Sequence, residues 1–236
     1  MNLFDDYYGT PINIAARDGN LALVKELLKH GANPFHYLED GDEDYLDEKT
    51  PLHGAAFKGH QSIIEEILLY YENDAIVNDE NETPLHFAAD IGNAEAVKKL
   101  LDRGCKVNLK STEGKTPLHL AIDTACQNER IDALSILLKH GADVNAQDNG
   151  GNSPLHSVVL CYNLYCGSAN KNKNMPLQTI LEEGKNFDFK LRNKDGKTAL
   201  QIAIDEKDMD SARMIAKEMC QKPNITDAIY PLKYLM

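Results

Sequence analysis

The chain of 236 residues is long enough for one large domain or two small ones, and 42% hydrophobic and 26% charged residues without Trp are those of a globular protein. It has no run of 18 or more apolar residues, so no membrane span is expected, and a formal charge of −12 repels nucleic acid and anionic membrane surfaces at long range. Five Cys without framework spacing, and an acidic MNLFDDYYGT where a signal peptide has a basic and then an apolar region, point to a reduced, cytoplasmic compartment.

Along the chain the same phrase returns. TPIN at 10 is followed by Ala15-Ala16, Gly19 and ALVKELLKHGAN, and after the acidic insertion LEDGDEDYLDE at 38–48 comes TPLH at 50, with Ala55-Ala56, Gly59 and SIIEEILLYYEN. TPLH at 83 leads into Ala88-Ala89, Gly92 and AEAVKKLLDRGCKVN, and TPLH at 116 into DALSILLKHGADVN. SPLH at 153 precedes LQTILEEGKNF, and TALQ at 198 precedes SARMIAKEM. The intervals of 40, 33, 33, 37 and 45 make 33 the unit and the rest insertions. Thr or Ser before Pro starts a helix, because the hydroxyl caps free N–H groups and Pro suits the first turn. The Ala pair keeps one helix face thin for close packing, and a Gly ends the helix in a tight turn. The VxxLL stretch has the i, i+3, i+4 spacing of an amphipathic second helix, stopped by Gly31, Gly104 or Gly141. Such a pair cannot bury its apolar faces alone, but stacked copies can.

The period, the TPLH anchors and GADVNAQDNGGNSPLH at 141–156 resemble the ankyrin repeat family over about residues 1–220. The resemblance implies an all-α solenoid of helix pairs joined by β-hairpin-like loops, curved so that hairpins and first helices line a concave face. The expected organisation is a single domain of six repeats, about 5–38, 45–77, 78–110, 111–147, 148–192 and 193–220, with 221–236 as a C-terminal cap. Asn13 and Gln201 replace the anchor His in the outer copies, as expected of caps.

His53, His86, His119 and His156 are equally placed in their repeats, but adjacent anchors about 10 Å apart cannot share a metal that needs ligands at about 2 Å. The resemblance implies instead that these imidazoles link backbones of adjacent repeats. Cys161 and Cys166 have no further ligand cluster nearby, and nothing supplies an orienting group or oxyanion feature for a Cys–His nucleophile. No metal, no cofactor and no catalytic residue is expected. Asp40, Asp42 and Asp44 alternate but lack the twelve-residue calcium pattern ending in a bidentate Glu, so 38–48 reads as a solvated acidic loop or as a lure for a basic partner.

Positions flanking each hairpin turn, and those before the first-helix Gly, are not needed by the framework. Phe57 and Ile91 are large apolar groups at such positions; Tyr45, Leu46 and Val77 accompany them, with Lys58, Asp79, Glu80 and Asp90 interleaved. An apolar patch rimmed by charge is the anatomy of an interface, although a folded-back first finger would bury Tyr45 and Leu46 internally. Arg192, Lys194 and Lys197 make the far hairpin basic. LLKHGADVNAQD at 137–148 resembles the ankyrin segment that asparaginyl hydroxylases accept, at Asn145, against the alternative of an Asn that only hydrogen-bonds within the hairpin.

These features predict a non-catalytic, monomeric module that binds a protein partner carrying a basic and apolar segment. The competing reading is an enzyme with its active site in the insertions of repeats one and five. Lys outnumbers Arg 20 to 5, a habit of AT-rich genomes that fits an effector of an intracellular bacterium acting in a host cytosol. It equally fits an ordinary eukaryotic or viral protein.

Overall fold

The computed structural model of the chain describes residues 10–34, 50–58, 60–70, 80–165 and 174–220, without the side chains of 53, 56, 57 and 162–165. These residues form twelve helices: α1 Pro11–Arg17, α2 Leu21–Lys29, α3 Pro51–Phe57, α4 Gln61–Leu69, α5 Pro84–Asp90, α6 Ala94–Asp102, α7 Pro117–Asn128, α8 Asp132–Lys139, α9 Pro154–Tyr165, α10 Met175–Glu183, α11 Ala199–Asp205 and α12 Met209–Cys220. No strand occurs among the described residues.

The helices pair in chain order, α1 with α2 through to α11 with α12, and each pair stacks on the next. In the inner layer α1 packs on α3, α5 on α7, α7 on α9 and α9 on α11; in the outer layer α2, α4, α6, α8, α10 and α12 follow one another. The thin faces lie where the inner helices meet, with Ala15, Ala16, Ala55, Ala88 and Ala89 no more than 2% exposed. Leu52, Leu85 and Leu118, one per anchor, have no exposed surface. Each fully buried Leu contributes about 1.5–3 kcal/mol, and each touches neighbours that only the stack supplies.

The turns close through left-handed backbone. Gly31, Gly104 and Gly141 end the outer helices of repeats one, three and four at φ of 78°, 85° and 84°, and Gly19 and Gly92 end inner helices at 80° and 65°. Repeat four breaks this pattern: α7 has 12 residues against 7 in α1, α5 and α11, and stops at Glu129 with φ 59°. α9 is equally long at 12 residues. The longer intervals after the anchors at 116 and 153 are thus partly absorbed as extra helical turns.

The loops between repeats have hairpin hydrogen bonds without strands. Ser111 N–H donates to Lys115 O at 2.8 Å, Asp148 N–H to Asn152 O at 2.9 Å and Asn193 N–H to Lys197 O at 3.0 Å. The tips are joined to one another as well: Thr112 N–H donates to Glu80 O, Asn149 N–H to Glu113 O and Lys194 N–H to Gly150 O, at 2.8, 2.9 and 2.8 Å. Gly114, at φ +74°, sits where this ladder is tightest, because a Cβ there would lie 2.8 Å from the backbone N of Asn149. Gly104, at φ +85°, has open space around it.

These two glycines separate backbone strain from crowding. Gly104→Ala should cost about 1–2 kcal/mol, the left-handed penalty alone. Gly114→Ala should cost about 1–3 kcal/mol more, because a neighbouring backbone must also move. Urea unfolding midpoints of both variants test this, and equal losses would show that the tip ladder is not tightly packed.

Candidate functional site

Among the described residues three successive interior joints are made by buried imidazoles. In repeat three the backbone N–H of Thr83 donates to His86 Nδ1 at 3.0 Å, the Thr83 hydroxyl oxygen lies 2.8 Å from the same nitrogen, and His86 Nε2 reaches Lys115 O at 3.2 Å. His119 repeats this with Thr116 N–H at 3.2 Å and Asn152 O at 3.2 Å. His156 does so with Ser153 N–H at 3.2 Å and Lys197 O at 3.1 Å. An Nδ1 that accepts a backbone N–H carries no proton, so Nε2 bears it and donates to the carbonyl of the next repeat. Burial disfavours the imidazolium and lowers His86 to about 4, outweighing backbone bonds to Lys115 and Leu109 that favour it, with His119 adding to the lowering. His119 and His156 are lowered by the same burial. Among the described residues no group of three or more His, Cys, Asp and Glu side chains is gathered as a metal would require. At the last repeat Gln201 makes only the capping half, accepting Thr198 N–H at 3.0 Å and donating its own N–H to Thr198 Oγ1 at 3.3 Å. At the first, Asn13 accepts from the Thr10 hydroxyl at 2.6 Å and leaves its buried Nδ2 without a partner.

Asn145 has a cross-repeat role of the same kind. Its Nδ2 donates to Asn186 O at 2.7 Å and its Oδ1 accepts from Asp188 N–H at 2.9 Å. The bonds reach the loop of repeat five rather than staying within one hairpin, the alternative weighed from the sequence. Asn108 holds the preceding joint likewise, through Gly141 O at 3.3 Å and Asp143 N–H at 2.8 Å.

Of the residues expected to form an interface, Tyr45, Leu46, Val77 and Asp79 lie outside the described residues, and Phe57 ends α3 with its side chain outside them. Lys58, Glu80 and Asp90 are exposed. Ile91, read from the sequence as exposed, is half-buried, because repeat four folds over the end of α5: the Thr124 hydroxyl donates to Asp90 O and Arg130 to Ile91 O at 3.5 Å.

Two carboxylates that the sequence reading passed over join Asp90. Asp123 occupies the same place on α7 as Asp90 on α5, seven residues after the anchor Thr, and Asp205 repeats it on α11. Aligning the anchors one position further would have found the series. Lys115 lies among these acids, its Nζ 3.4 Å from Glu113 and 3.7 Å from Asp123. Burial pushes the Asp123 carboxyl up against the pull of Lys115, and the charges of Asp90 and Asp148 push it further. Burial acts against the Lys115 ammonium, but Asp123, Glu113 and Asp148 hold its pKa above the usual lysine value. One cation is therefore shared among three acids, Asp123, Glu113 and Asp148. The outer layer offers a different feature, a cavity of about 300 Å³ between α2, α4 and α6 lined by Leu21, Leu69 and Leu100. Its charges are closed among themselves, Lys25 with Glu66 at 3.4 Å and Lys99 with Glu65 at 2.8 Å.

The family model for ankyrin repeats (3 copies) matches residues 1–79, 52–148 and 125–227. The chain belongs to the ankyrin repeat family. It is similar in fold to the crystal structure of an ankyrin repeat domain from Acinetobacter baumannii AYE, with a TM-score of 0.64 and 19% identity over 88% of this chain and 97% of that one. No curated protein matches the chain. Ankyrin repeats are generally protein–protein interaction modules and typically non-catalytic.

Truncating one ankyrin joint should be costly and local. Asn145→Ala orphans Asn186 O and Asp188 N–H and should destabilise by about 1–3 kcal/mol. Hydrogen exchange at Asp188 should accelerate more than at the Ser111 or Asn193 amides; uniform acceleration would mean that the joint does not act locally.

Proposed function

We propose that the inner-helix and hairpin face of repeats one to five binds a partner protein through a segment that is basic and apolar. The observation that carries this is one inner-helix register, seven residues after each anchor, held by Arg17, Phe57, Asp90, Asp123 and Leu160 in repeats one to five. The imidazole and amide joints use other side chains. Asp123 in particular is held where burial and two like charges oppose its ionisation, an arrangement that spends stability and that a cationic partner would relieve. In this reading Ile91, half-buried at the end of α5, and Phe57, the last residue of α3, supply the apolar contacts, with Glu80 and Lys58 exposed nearby in the chain.

The module acts as a monomer, and its Lys-rich composition supports an effector of an intracellular bacterium working in a host cytosol. Asn145 is a substrate for asparaginyl hydroxylases in this reading. Both ends of its amide are occupied, so modification waits on opening of the joint to repeat five. Incubation with such an enzyme should add one oxygen, located at Asn145 by fragmentation mass spectrometry, and an unchanged intact mass removes the idea.

The binding surface is tested with partners captured from eukaryotic lysate and then titrated against variants. Phe57→Ala or Ile91→Ala should lose about 2 kcal/mol, roughly thirtyfold in affinity. Asp90→Lys and Asp123→Lys should mainly slow association and reduce its salt dependence. Lys194→Ala and Lys197→Ala should matter less. Asp123→Asn should leave the unfolding midpoint at or above that of the wild type while weakening binding. Normal binding by the repeat-two and repeat-three variants, with loss in the repeat-six variants, overturns this placement.

A further inference from the structure

The imidazole joints have a consequence for pH. Each ring accepts a backbone N–H at Nδ1 and gives its single proton to the hairpin of the next repeat. A second proton at Nδ1 would face the backbone N–H that the ring now accepts; the anchor hydroxyl oxygen is the one acceptor beside it, so the ring gives up the backbone half of its cap. We propose that His86, His119 and His156 form an acid-sensitive latch, in which protonation of a ring releases the hairpin of the following repeat. The terminal repeats stand outside it, because Gln201 and Asn13 hold the same place without a titrating group.

The surroundings of the rings grade the three joints. His86 faces the backbone of Lys115 and Leu109 and one titratable neighbour, His119, whose charge when protonated opposes its own. His119 faces Asp148, which favours a charged ring, and Lys115 and Lys110, which oppose it. His156 faces Asp148 and the backbone of Lys197 and Leu191. Among the described residues no carboxylate bears on the His86 ring, so its joint is the one that opens most readily on accepting a proton. The direction of the effect follows from linkage. A His whose folded value lies below 6.5 binds more protons unfolded than folded, so its joint weakens as pH falls from about 6.5 towards the folded value, about 4 for His86. Asp123, whose carboxyl value is moved up, and Glu65, whose value is moved down, also titrate in acid, so the joints are read amide by amide and not from global stability. What opens is the loop surface proposed above for a partner, so the regulatory meaning of the latch rests on that reading, whereas the latch itself does not.

Each joint has its own reporter amide: Thr112 for His86, Asn149 for His119 and Lys194 for His156, since each N–H donates across the hairpin tips to the preceding repeat. The experiment is hydrogen exchange on the free, full chain between pH 7.4 and 5.0, corrected for intrinsic rates. Protection at Thr112 should fall by about thirtyfold through the release of one ring. His86→Gln, which adopts the side chain that already serves at position 201, should abolish the pH dependence at Thr112 and leave that at Lys194. Unchanged protection in the wild type, or equal loss in the wild type and His86→Gln, overturns the latch. Should the variant not fold, ring nitrogen shifts of the wild-type histidines decide: a folded His86 that titrates at or above 6.5 sinks the proposal. If the latch operates and no captured partner dissociates at pH 5, the latch stands and the binding reading fails.

Discussion

A backbone carbonyl at the base of each hairpin must find a donor in the repeat before it, and in three successive joints that donor is the ring nitrogen of a buried histidine. The rest of the architecture hangs on this bond. It fixes the hairpin base against the first turn of the preceding inner helix, which brings the tips near enough to exchange N–H···O bonds of their own. The same ring caps its own helix, so one side chain settles two orphaned backbone groups in two repeats. Histidine suits the task because two nitrogens on opposite sides of a rigid ring can accept at one end and donate at the other. Gln201 shows the limit of a substitute: it caps its helix, and no later hairpin in the described residues asks it for more.

Because each joint is local, the stack tolerates irregularity between joints. α7 and α9 run to 12 residues without disturbing the anchor at either end, and the added part of α7 is itself packed, with Thr124, Ala125 and Cys126 buried. Glycines are needed where φ is positive and another backbone lies close, as at Gly114 beside Asn149. Polar residues also take the left-handed turn, and Glu129 and Lys207 do so at the ends of α7 and α11.

Much of this was legible beforehand, since it repeats. The anchors, the Ala pairs, the helix-ending glycines and the structural duty of His86, His119 and His156 follow from spacing and from the family it resembles. Features made between repeats were not legible. Asn145 looked like a residue of its own hairpin, but its partners are 41 and 43 positions away. Glu129 carries no glycine signal, so the extra turns of α7 passed unseen. Asp123 and Asp148 were missed because charge was weighed hairpin by hairpin, whereas Lys115 collects acids from a hairpin, an inner helix and the following repeat. The patch drawn around Tyr45, Leu46, Val77 and Asp79 falls outside the described residues, as does the side chain of Phe57, and Ile91 is the described apolar member, half-buried at the end of α5.

The division of labour between frame and surface also explains why the inner face can hold an unfavourable arrangement of charge. In a single-core domain, a half-buried carboxylate pressed by two others would threaten the packing around it. Here the joints are satisfied by backbone, imidazole and amide groups, and the inner layer is sealed by Ala and Leu; Asp123 burdens neither. Its cost falls on one register of one face, where a partner's cation can offset it. The imidazoles are placed the other way round. They sit inside the frame, so the charge they would gain in acid cannot be offset from the surface, and any response to pH must travel through the joints before it reaches the face a partner would touch.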